Sequence, residues 1–107
     1  MLVRGMETQM KFELADVVTS LNGRDKGKCF IVVGKDDDYS LIADGKGRKL
    51  ENPKRKKNKH LISNNENITR LSEKFEAGEK ITNKELRKIL AEYTTQKAVT
   101  TTKGDVQ

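Results

Sequence analysis

Between positions 46 and 60 the chain places eight basic side chains, Lys46, Arg48, Lys49, Lys54, Arg55, Lys56, Lys57 and Lys59, against a single acid, Glu51. Cations at this density do one kind of chemistry well, which is to neutralise an extended polyanion. Lysine acts as a point charge, whereas the planar guanidinium of arginine can grip a phosphate with two parallel hydrogen bonds. Without a counter-charge such a run repels itself, so a polyanion that relieves the repulsion is the expected partner. The rest of the chain has no comparable excess: residues 1–45 carry a formal −2, residues 46–60 carry +7 and residues 61–107 carry +1. One short segment therefore accounts for the whole net charge of +6. Two blander readings of Lys54-Arg55-Lys56-Lys57 are a solvated loop and a nuclear localisation signal.

A second basic cluster reads Gly23-Arg24-Asp25-Lys26-Gly27-Lys28. Glycines at 23 and 27 permit a tight turn that exposes backbone amides, and Arg24, Lys26 and Lys28 can project from it towards phosphate oxygens. His60 closes the basic stretch; it reads as a structural histidine, with base stacking or phosphate contact as the alternative. Cys29 stands alone, so no disulfide forms within the chain, and it reads as a small core residue without metal-ligand spacing. Tyr39 reads as core. Asp36-Asp37-Asp38 lack the spread of carboxylates over about twelve residues that a calcium loop needs, so no metal is expected.

No nucleophile–base pair, phosphate loop or paired-carboxylate signature occurs, and the expectation is a non-enzymatic protein without a cofactor. With 34% hydrophobic residues and only Phe12, Phe30, Phe75, Tyr39 and Tyr93 as aromatics, a deep pocket for a small-molecule substrate is hard to build. The same scarcity of rings disfavours binding of single strands by base stacking. No run approaches the roughly 20 apolar residues of a membrane span, and no apolar signal core opens the sequence. A cytoplasmic location is expected.

The elements that must carry these residues are short. Residues 14–21 suit a strand that ends in the Asn22-Gly23 turn. Residues 29–33, Cys29-Phe30-Ile31-Val32-Val33, suit a second strand between Gly27 and Gly34. A polar turn at 35–38 leads to a third over 39–43, and Asp44-Gly45-Lys46-Gly47 to a fourth over 48–51. Pro53 marks a strand end or loop, and 59–63 reads as a fifth strand. Strands this short at this spacing predict a small antiparallel barrel or sandwich. From 64 onward the period becomes helical. Ile68, Leu71 and Phe75 share a face, Asn65 or Asn67 is the expected N-cap, and Gly78 the stop. Thr82 and Glu85 have capping-box spacing ahead of a second helix over 83–93, whose Leu86, Ile89, Leu90 and Tyr93 form a stripe expected to cover an open end of the barrel. That stripe could alternatively face a partner protein. The organisation is thus a flexible segment at 1–12, a barrel at 13–63, a helical extension at 64–93 and a disordered tail at 94–107.

Asp16-Val17-Val18, the 23–28 turn and Phe30-Ile31-Val32-Val33 together resemble a KOW motif: strand, basic glycine turn, strand. Leu41-Ile42-Ala43-Asp44-Gly45 and the run from Asn52-Pro53 to His60-Leu61 extend the likeness to the large-subunit ribosomal KOW proteins of archaea and eukaryotes and their small bacterial relatives. The resemblance covers about residues 14–62. It implies an SH3-like barrel that binds ribosomal RNA of the large subunit, with ribosomal proteins as further neighbours. The absence of a clear DNA-reading helix also favours RNA, because Lys84, Arg87 and Lys88 alternate with Glu85 and Glu92. KOW domains of transcription or translation factors that dock on proteins are the alternative the resemblance leaves open.

Overall fold

The computed structural model describes the backbone of residues 12–106 and the side chains of residues 12–94. Five strands come first: β1 (Asp16–Ser20), β2 (Cys29–Asp36), β3 (Tyr39–Ala43), β4 (Lys54–Lys57) and β5 (Leu61–Asn67), with a 3-10 turn at Asn58–His60 between the last two. Two helices follow, α1 (Thr69–Ala77) and α2 (Asn83–Val106). The architecture is mainly β, one antiparallel five-stranded sheet in the order β4-β3-β2-β1-β5 plus the helix pair. The sheet is not closed into a barrel: β4 and β5 are its two edges and no ladder joins them.

The apolar runs that predicted β1 and β2 are continuous rather than alternating, and the structure supplies the reason. Successive residues of a strand point to opposite faces, so a strand covered on both sides must be apolar at every position. Val18, Phe30, Val32 and Ile42 pack on one face with Phe12 and Leu61. Val17, Ile31 and Ala43 pack on the other with Ala15, Leu71 of α1 and Leu86, Ile89 and Leu90 of α2. The antiparallel pairs Val18↔Phe30 and Ile31↔Ala43 keep each set in register. The helices therefore cover a face of the sheet, not the open end that the sequence suggested. Phe12, placed by the sequence in a flexible segment, is a core residue; the rest of that segment, 1–11, lies outside the described residues.

Several local expectations hold. Gly78 ends α1 in the left-handed conformation (φ 72°), with its N–H on the carbonyls of the last turn. Thr82 Oγ1 accepts the Glu85 N–H and Glu85 Oε1 accepts the Thr82 N–H, both at 3.2 Å, a complete capping box. Others change. Neither Asn65 nor Asn67 caps α1; Ile68 occupies that position, and the Asn67 amide donates instead to Leu14 O and Asp16 Oδ1. The strand expected at 48–51 is a turn, because Asn83 at the start of α2 takes the Leu50 N–H on its Oδ1 and donates to Glu51. α2 continues past Tyr93 into the residues read as a disordered tail. Once a helix is nucleated, each added residue gains a hydrogen bond, and no proline interrupts it. No helix among the described residues is long and apolar enough to cross a membrane.

Because α2 shares its core with β1, β2 and β3, the 64–93 segment should not behave as an appendage. Leu86 is fully buried. Leu86→Ala should cost about 2–5 kcal/mol and lower the denaturant midpoint of a single transition. Separate transitions for strands and helices, by circular dichroism at helical and strand wavelengths, would contradict the shared core.

Candidate nucleic-acid interface

The 23–28 turn is built from its glycines outward. Gly23 and Gly27 have φ near +85°, a region in which only glycine is unstrained. The amides expected to face a ligand are mostly consumed by the turn itself: the N–H groups of Lys26, Gly27 and Lys28 donate to Gly23 O, Ser20 O and Asp25 O. What the turn offers outward is therefore its side chains, and Arg24, Lys26 and Lys28 are all exposed.

Asp25, the acid in the middle of the turn, points inward and is 8% exposed. Its Oδ1 accepts Ser20 Oγ at 2.8 Å and Lys56 Nζ at 2.8 Å. Lys54 Nζ stands 3.2 Å from Oδ2 as a charge contact, not an aligned hydrogen bond. Lys56 also donates to Asn22 O at 2.7 Å. Burial works to raise the Asp25 carboxyl, but hydrogen bonds from Lys56 and Ser20, with the nearby charges of Lys54 and Lys56, outweigh it and hold the carboxyl well below the usual range. The turn is thus fastened to the edge strand β4.

That fastening sorts the basic run. Lys54-Arg55-Lys56-Lys57 is a strand, not a loop, and the period of two sends its neighbours to opposite faces. Lys54 pairs with Ile42 and Lys56 with Ser40, on the face that meets Asp25; Arg55 pairs with Leu41 and Lys57 with Tyr39, on the other. Lys56 is 7% exposed and its ammonium already donates to Asp25 and Asn22, so the run does not present four equal phosphate contacts. Arg55 lies 3.6 Å over the Tyr39 ring and pairs with Asp36 at 2.7 Å. Tyr39 is half-exposed and serves as a platform for Arg55, not as core. The three aspartates at 36–38 sit at the β2–β3 turn, where Asp36 pairs with Arg55 and Asp38 O accepts the Asn58 N–H.

On the other side the cations converge. Arg24 and Lys28 of the turn and Arg48 and Lys54 of the basic stretch line one depression of about 220 Å³, together with Asp25, Asp44, Gly47 and Phe30. Turn and stretch therefore share a surface, although only part of the stretch takes part. Asp44 Oδ1 accepts the N–H groups of Lys46 and Arg48, which fixes the carboxylate at the rim and leaves its charge facing the cations. Among the described residues Arg24, Lys28 and Arg48 have no ion-pair partner, and Lys26, Lys46 and Lys49 are exposed cations nearby in the chain. The depression between Glu13, Lys35 and Phe75 holds no comparable cluster. His60 is held by the Asn22 amide, which donates to its Nδ1 at 3.0 Å, in keeping with a structural role. Cys29 is half-buried against the helix-side core, beside Thr19 and Asn64.

Sequence reasoning missed two contributors. Asp25 was legible only as one acid among basic neighbours; its partner Lys56 is 31 residues away. Arg87 of α2 donates to Gly45 O at 2.7 Å and so reaches the 44–48 loop. Gly45, at φ +80°, permits this approach, because a Cβ there would lie 2.3 Å from Asn83 O. Neither a protein-family model nor a curated protein sequence matches the chain.

The Asp25 contacts make a pH prediction. A carboxyl depressed in the folded state adds stability that is complete above about pH 5 and drains away as pH falls through the ordinary carboxylate range towards the folded value. Asp25→Asn leaves Lys56 buried without its counter-charge, so it should cost about 3–5 kcal/mol at neutral pH and flatten the acid limb of a stability-versus-pH curve. An acid limb identical to that of the unchanged protein would exclude this role for Asp25.

Proposed function

We propose that the protein is a non-enzymatic RNA-binding protein that holds ribosomal RNA through phosphate contacts, as a ribosomal or ribosome-associated component. One observation carries the reading: Arg24 and Lys28 from the glycine turn meet Arg48 and Lys54 around a single depression, while the acids beside them are engaged internally. Two forks and two point charges in so small a space suit a chain of phosphates. The KOW resemblance supplies the RNA. The strand order β4-β3-β2-β1-β5, with a 3-10 turn between β4 and β5, supports an SH3-like arrangement in an open form. In this reading Lys26, Lys46 and Lys49 add long-range attraction, and Lys56 and His60 act as supports of the surface instead of contacts.

The reading predicts a steep and face-specific salt dependence. Each phosphate neutralised contributes about −0.7 to −0.9 to the slope of log affinity against log salt, so four contacts give a slope of roughly −3. Anisotropy titrations of a labelled ribosomal RNA fragment at several salt concentrations measure it. Arg24→Gln with Arg48→Gln should remove roughly half of that slope, whereas Arg55→Gln with Lys57→Gln should leave most of it. Equal losses from the two double variants would place the contacts elsewhere, and a flat salt dependence would refute RNA binding by phosphate contact.

A further inference from the structure

A second concavity, of about 510 Å³, adjoins the cationic depression and shares Lys28 and Asp44 with it. Its lining divides by chemistry. Cys29, Leu90 and Ala91 are apolar, while Lys28, Lys46 and Arg87 are cations. Arg87, Leu90, Ala91 and Thr94 stand at i, i+3, i+4 and i+7, so one stripe of α2 forms a whole wall. The hydrogen bond from Arg87 to Gly45 O fixes one guanidinium nitrogen and leaves the rest of the fork for a ligand. The acid on the lining, Asp44, already accepts two backbone amides.

An apolar wall beside three cations suits a ligand with a flat uncharged part and an anionic part. A nucleotide has both. In a continuous A-form duplex the bases are stacked inside and only backbone and minor-groove edges can be reached, so a base enters a groove only from a loop, bulge or end. We propose that this groove receives one unpaired nucleotide of the bound RNA, its base against Leu90 and Ala91 and its phosphate towards Lys28, Lys46 and Arg87. The proposal rests on the RNA reading above and extends it: the first depression holds backbone, and the groove selects RNA in which a base has left the helix. Helix α2 then belongs to the binding surface as well as to the core.

Two RNA hairpins test it at low salt, one fully paired and one identical except for a single bulged 2-aminopurine nucleotide. The bulged hairpin should bind about tenfold more tightly, as burial of one base face against aliphatic side chains implies. Its 2-aminopurine emission should change on binding, since the base exchanges its neighbours for the groove. Ala91 and Thr94 are exposed, so Ala91→Gln and Thr94→Gln can fill the groove without added charge and without disturbing the core. Each should bring the two hairpins to the same affinity. Equal binding of both hairpins by the unchanged protein, or a bulge preference that both variants retain, overturns the nucleotide groove while RNA binding stands. Failure to bind either hairpin overturns the RNA reading itself, and the groove with it.

Discussion

The contact on which the rest of the molecule depends is the one between Asp25 and Lys56. Two opposite charges are taken out of water, an arrangement that is costly unless geometry and hydrogen bonding are both good. Here they are good: Ser20 and Lys56 donate to the same carboxylate oxygen, and Lys56 makes a second bond to a backbone carbonyl. The gain lies less in net stability than in specificity. A glycine turn between two strands has many ways to sit, and an edge strand made of four cations has no apolar face to hold it. The buried pair ties the turn to β4, whose ladder with β3 sets its register, and so places Arg24 and Lys28 beside Lys54.

Different parts of the structure were legible in the sequence to different degrees. The first three strands could be read because each holds a short apolar run and polar or glycine-containing turns, at 22–27, 35–38 and 44–47, separate them. Gly78 and the Thr82–Glu85 box could be read because their physics is local, within one turn of helix. The fourth strand could not. Lys54-Arg55-Lys56-Lys57 has no alternation of polarity, and it is a strand because its backbone pairs with β3, with Lys54 and Lys56 facing an acid far away in the chain. The docking of α2 was invisible for a similar reason: its apolar stripe announced a buried face without saying which surface buries it. In the candidate site the types of residue were legible, whereas their division between two faces was not.

That division also changes what a net charge means. The segment with formal +7 suggested one broad positive surface. In the folded chain part of the charge is spent on Asp25 and part is faced by Asp36 of the β2–β3 turn. The cations left over are drawn together from two separate segments, with a third contributed by α2. A charge tally along the chain and a charge map over the fold therefore answer different questions, and only the second bears on where a polyanion would lie.

The alternation along β4 reaches beyond ligand binding. Lys56 and Lys57 are neighbours of the same type in the same run, yet one amine is enclosed between a carboxylate and a carbonyl and the other is open to solvent. An acetyltransferase or an amine-selective reagent meets two chemically different lysines. At position 57 the modification only removes a surface charge. At position 56 the amine is enclosed, and the mark would leave Asp25 with the half-buried Lys54 as its remaining counter-ion, so the same modification would act there as a wedge in the fold.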